Sequence, residues 1–67
     1  MHRAGRLAGV LAGLHASKGE WADAKNSLLR GRALFPEDRS WQARIILLDR
    51  IQALPKSERS GWIAFLG

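Results

Sequence analysis

The chain contains no cysteine, which excludes disulfides, thiolate metal sites and a cysteine nucleophile together. Imidazole is nearly as scarce: His2 and His15 are its two histidines. Neither belongs to an HExxH run or a His-rich tract, so no metal ion or other cofactor is expected. No stretch approaches the roughly 20 consecutive apolar residues of a transmembrane helix, and no membrane partner is expected. Alternation of apolar and polar residues in the manner of a strand is missing throughout, and with it any strand-loop-helix phosphate cradle. The serines at 17, 27, 40, 57 and 60 have no His-Asp pattern around them, so the chain is not expected to be an enzyme.

Acidic groups are few as well, six Asp and Glu against eleven Lys and Arg, giving a formal charge of +5. Eight of the basic residues are arginine, and the pI is near 11.2. Such a balance steers acidic partners towards the surface without specifying a fold. The basic residues run from Arg3 to Arg59 without clustering, which describes a solvated surface better than a nucleic-acid stripe. With 67 residues there is room for one domain, residues 1–67, near the size at which a single core only just outweighs chain entropy. In the absence of disulfide or metal, stability must come from well-formed helices or from association. The N-terminal "MHRAGRLAGVLAGLHAS" has the outline of a secretory signal, but glycines interrupt its short apolar run. The expectation is a soluble protein of a reducing compartment, the cytoplasm.

Punctuation falls at Ser17-Lys18-Gly19, Phe35-Pro36-Glu37-Asp38 and Leu54-Pro55-Lys56-Ser57, between stretches of helical period. Four helices are expected, at 3–17, 20–34, 38–53 and 57–66, packed as antiparallel hairpins because their connections are short. Glu20 and Asp23 suit the positive end of the second helix, and Glu37 and Asp38 that of the third; Arg30, Arg32 and Arg50 suit the negative ends. Ser57 is the expected N-cap of the fourth helix.

On the first helix Leu7, Val10, Leu11 and Leu14 form a bulky stripe, expected to face a core. Ala4-Gly5, Ala8-Gly9 and Ala12-Gly13 repeat every four residues, giving a thin face for close approach of another backbone. His15 projects between Leu11 and the alanines, away from any second ligand. The third helix is apolar on several sides, with Trp41, Ile45 and Leu48 on one, Ile51 near them, and Ile46, Leu47 and Leu54 on others. Together with Trp62, Ile63, Phe65 and Leu66 near the C-terminus, this is more apolar surface than four short helices cover, and a homo-oligomer, most simply a dimer, or a longer array is expected.

The stretch "GEWADAKNSLLRGRALFP" resembles the second half of a tetratricopeptide repeat, with Gly19, Trp21, Ala24, Leu28, Gly31 and Pro36 in the motif places. The first helix follows the family's pattern less closely: His15 replaces an aromatic and Ala8 a common tryptophan. Residues 3–36 would form one such hairpin and 38–67 a divergent or capping one. The resemblance implies an all-α fold and a protein-protein interaction module, an adaptor without catalysis, whose concave face takes a partner helix or peptide with acidic flanks. In this chain that face would carry Arg6, Gly9, Gly13 and Ser17, with Trp62 and Phe65 as terminal anchors. The last third, "LLDRIQALPKSERSGWIAFLG", is similar to the entry of the DNA-binding region of alternative sigma factors. It implies nucleic acid as the second class of partner, held by Arg30, Arg32, Arg39 and Arg50.

Overall fold

The computed structural model describes residues 3–66, and their side chains from Leu7 onward. The fold is all-α. Four helices follow in order, α1 (Arg3–Ser17), α2 (Trp21–Leu34), α3 (Ser40–Ala53) and α4 (Lys56–Ile63), and α4 tightens into a single 3-10 turn at Ala64–Leu66. Consecutive helices pack as hairpins, α1 on α2 and α2 on α3, and α4 with its closing turn returns to touch both α1 and α3. That return closes the chain on itself. Its radius of gyration of 11.0 Å matches the value of about 11 Å expected for a compact unit of this length.

The α1–α2 bend is a Schellman motif. Gly19 is the one residue of positive φ among those described, at 76°, a conformation open to glycine without a steric cost. Its N–H donates to the Ala16 carbonyl at 3.0 Å, and the Glu20 N–H donates to the His15 carbonyl at 2.9 Å, the paired bonds that satisfy a helix C-terminus. An apolar contact usually joins the two outer positions of this motif. Here His15 and Glu20 occupy them, and His15 Nδ1 lies 2.8 Å from Glu20 Oε1.

The other ends differ in detail from the sequence expectation. α3 begins at Ser40, and Asp38 Oδ1 accepts hydrogen bonds from the Ser40 N–H at 2.9 Å and the Ser40 hydroxyl at 2.7 Å, so this acid shapes the entry from outside the helix. Ser57 is not the N-cap of α4. Pro55 holds that position; its ring fixes φ and it has no N–H to leave unpaired.

One apolar cluster unites the helices: Ala12 and Ala16 of α1, Ala24 and Leu28 of α2, Trp41, Ile45, Leu48 and Ile51 of α3, and Leu66 of the closing turn. Trp41 sits against the α2 backbone at Gly31. A Cβ built there would fall 2.4 to 2.8 Å from three indole carbons, well inside van der Waals contact. The indole N–H donates to the Phe35 carbonyl at 3.1 Å, and the Arg44 guanidinium lies over the ring 4.8 Å from its centroid, an electrostatically favourable arrangement. Arg59 fastens α4 to the end of α3: its Nε donates to the Leu54 carbonyl at 3.0 Å and an Nη to the Gln52 carbonyl at 3.1 Å. The same guanidinium lies 5.2 Å from the Trp21 ring centroid. No buried side-chain nitrogen or oxygen among the described residues lacks a partner.

The faces of α1 are reversed from the sequence expectation. Its thin side is inside, with Gly9, Ala12 and Ala16 buried, and Ala12 and Ala16 share the core with Ala24 of α2. Its bulky side is outside: Leu7, Val10, Leu11 and Leu14 are 41 % to 56 % exposed. Small side chains let helix axes approach closely, and on the flank nearest α4 the Gly13 Cβ position is already covered by Ile63 at 3.6 Å. The two faces lie about 180° apart at 100° per residue, so seating one against α2 turns the other to solvent.

Candidate partner-binding surface

Building outward from that orientation, the exposed stripe is the first candidate surface. Leu7, Val10, Leu11 and Leu14 recur at the i, i+3, i+4, i+7 spacing of a helix-packing seam, and α1 carries no acidic residue anywhere along its length. The thin face is occupied by the chain itself. Gly9 is buried, and Gly13 lies beneath Ile63. Ser17 is exposed, its hydroxyl donating to the Leu14 carbonyl at 2.7 Å. The Arg6 side chain lies outside the described residues, as does His2.

Trp62 and Phe65 are 49 % and 66 % exposed. They pack on each other with ring centroids 5.7 Å apart and planes tilted by 42°, in the range of favourable aromatic pairs. Phe65 and Leu66, adjacent in sequence, part company at the closing turn, where Leu66 enters the core and Phe65 stays outside. The structure thus brings Trp62 and Phe65 together on the outside, whereas Gly9 is buried.

A second concave surface opens where α3 stops. Leu54 is extended and Pro55 starts α4 at once, so the two helices diverge from a two-residue hinge. The wedge between them is a groove of about 450 Å³ lined by Leu47, Arg50, Ile51, Ala53, Leu54 and Trp62. Arg50 is the one charged residue of that lining.

No protein-family model, curated protein or solved structure matches the chain. What the surface can do therefore rests on its own geometry. Charge compensation is sparse: among the described residues His15–Glu20 is the one contact at ion-pair distance, and it carries two charges only when the imidazole is protonated. Arg30, Arg39 and Arg50 are exposed and have no ion-pair partner among the described residues. The His15 hydrogen bond outweighs the opposing effect of desolvation and, with a lesser contribution from the positive charge of Lys18, holds the Glu20 carboxyl below its ordinary pKa.

By its helical position alone His15 points away from any second ligand, whereas the Gly19 bend brings Glu20 and Asp23 to it. Ligand atoms of the three residues lie within 4.8 Å of one another. The i, i+5 spacing across a helix-ending glycine was the available signal. The acids are exposed, and the His15–Glu20 bond accounts for two of the three groups without an ion.

Proposed function

We propose that the chain is a non-enzymatic protein-protein interaction module of tetratricopeptide-like helical-hairpin type, an adaptor of the cytoplasm whose α1 stripe receives an amphipathic helix, from a partner or from a second copy. The observation that carries this reading is the stripe itself: four aliphatic side chains in helical register, 41 % to 56 % exposed on a helix that is otherwise well seated. The net charge of +5 favours acidic residues flanking the partner's apolar face. Trp62 and Phe65 supply an aromatic pair of the kind that anchors interfaces.

Magnitude limits the self-association. At about 30 Å² per methylene, the ratio of the two transfer scales, four half-exposed aliphatic side chains offer on the order of 250 Å² per copy. A standard interface takes about 800 Å² from each partner. Pairing through α1 alone is therefore weak, with a Kd of about 0.1–1 mM, and a helix that reaches beyond the stripe binds more tightly.

Sedimentation equilibrium across that concentration range tests the reading, alongside titration with a leucine-heptad peptide flanked by glutamates. The expected result is a mass rising towards two chains and peptide-induced amide shifts on α1, both lost in the Leu7→Ser/Leu14→Ser variant at unchanged helicity. A constant single-chain mass together with no peptide shifts on α1 refutes it. A DNA-binding reading rests on the exposed Arg30, Arg39 and Arg50, which have no ion-pair partner among the described residues, with Arg32 bonded to Gln42 at 3.1 Å. It requires duplex binding that weakens steeply with salt.

A further inference from the structure

We infer that the groove between α3 and α4 is a binding site for an aliphatic monocarboxylate, a chain of about eight to twelve carbons whose tail lies on Leu47, Ala53, Leu54 and Trp62 and whose carboxylate meets Arg50. The groove, about 450 Å³ in volume and open to solvent along one side, has room for an alkyl chain that keeps one flank in water. Except for Arg50 the lining is aliphatic or aromatic, so the walls suit a ligand with one charged end.

The guanidinium has no acidic partner among the described residues, and none of the lining residues is acidic. An anionic head therefore meets no internal competitor, and a guanidinium pairs well with a carboxylate. A second donor, the indole N–H of Trp62, has no hydrogen-bond partner among the described residues.

The same surroundings disfavour a peptide as occupant. An extended peptide brings backbone donors and acceptors that must be paired. The carbonyls of Gln52 and Leu54 at this end of α3 already accept from Arg59, and the Leu54 N–H donates to the Ile51 carbonyl at 3.0 Å. Beyond Arg50 and the Trp62 N–H, the lining side chains offer nothing polar to a backbone. An alkyl chain brings no such requirement.

The test is titration of the isotopically labelled full chain with sodium decanoate below its micelle concentration, followed by amide and indole N–H shifts. Saturable shifts at Leu47, Ala53, Leu54 and the Trp62 indole are expected, with a Kd on the order of 1 mM, as ligand efficiency gives for a dozen heavy atoms. Decyltrimethylammonium, with the same tail and the opposite charge, binds at least tenfold more weakly, and acetate does not bind. Arg50→Gln weakens decanoate about tenfold, and Ala53→Leu, which fills the groove and removes nothing, abolishes its shifts. Leu7→Ser/Leu14→Ser leaves them unchanged, so this site and the α1 reading stand or fall separately. Equal binding of the cationic amphiphile, an undiminished affinity in Arg50→Gln, shifts confined to α1, or tighter binding of an acidic leucine-bearing peptide at the same residues overturns the assignment.

Discussion

Replacing Gly31 by alanine tests the central packing contact of the fold. On an exposed helix the change stabilises by up to about 1 kcal/mol, because alanine loses less backbone freedom than glycine. At this site the added methyl meets three carbons of the Trp41 ring at 2.4, 2.6 and 2.8 Å, about 1 Å closer than ordinary contact allows. The ring has little room to retreat. It is fully buried, tied to the Phe35 carbonyl and overlaid by Arg44. Overpacking of this kind costs about 1–3 kcal/mol, and displacing the indole forfeits more, up to the roughly 3–5 kcal/mol of a deleted core aromatic. Gly31→Ala should therefore lose about 1–3 kcal/mol net, a large share of what a domain this small commands. Urea unfolding followed by circular dichroism and tryptophan fluorescence measures it. Gly61→Ala is the internal control, since nothing lies within 4 Å of its Cβ position, and it should gain up to about 1 kcal/mol. In the Trp41→Leu background the cost of Gly31→Ala should vanish, a coupling read from the double-mutant cycle. Equal gains at positions 31 and 61 would show that the indole is not seated on the α2 backbone.

Two further outcomes follow from single side chains. Arg59→Lys keeps the charge but loses the fork that spans the Gln52 and Leu54 carbonyls, and should cost about 1–2 kcal/mol in urea unfolding; an unchanged midpoint would remove the clamp between α3 and α4. The Glu20 pKa is lowered in the folded chain, so its stabilising contribution is present above the unfolded value of 4.5 and is lost as pH falls through the lower folded value. Glu20→Gln should flatten the acid side of the stability profile and leave the helix content intact. An identical profile in the two proteins would sever the His15–Glu20 link.

Legibility along this chain followed chemical contrast. α3 was readable because charge marks one side: Asp49 and Arg50 are exposed, and Trp41, Ile45, Leu48 and Ile51 are buried as their spacing implies. In α2 Ala24 and Leu28 are likewise inside, and Gly31 is small for a reason that sequence could not state, the approach of Trp41 from another helix. α1 offered no such contrast. Between Leu7 and Leu14 it has no polar residue, so periodicity found two apolar faces and could not rank them, and bulk wrongly favoured the leucines. The candidate site inherited that choice: Gly9 and Gly13 were expected to meet a partner and instead meet the chain itself. The groove beside Trp62 was out of reach for the same reason, being made by the angle between α3 and α4.

By itself the sequence determined that the chain is helical, where it bends, and that it carries excess basic charge and more apolar surface than it can bury, because each of these depends on residues near one another along the chain. Tertiary structure decided which face of α1 is inside, which of Phe65 and Leu66 enters the core, and where a groove opens, because these depend on how closely two helices can approach. That distance is set jointly by side chains far apart in sequence, alanine against alanine and indole against glycine, and no local pattern records it.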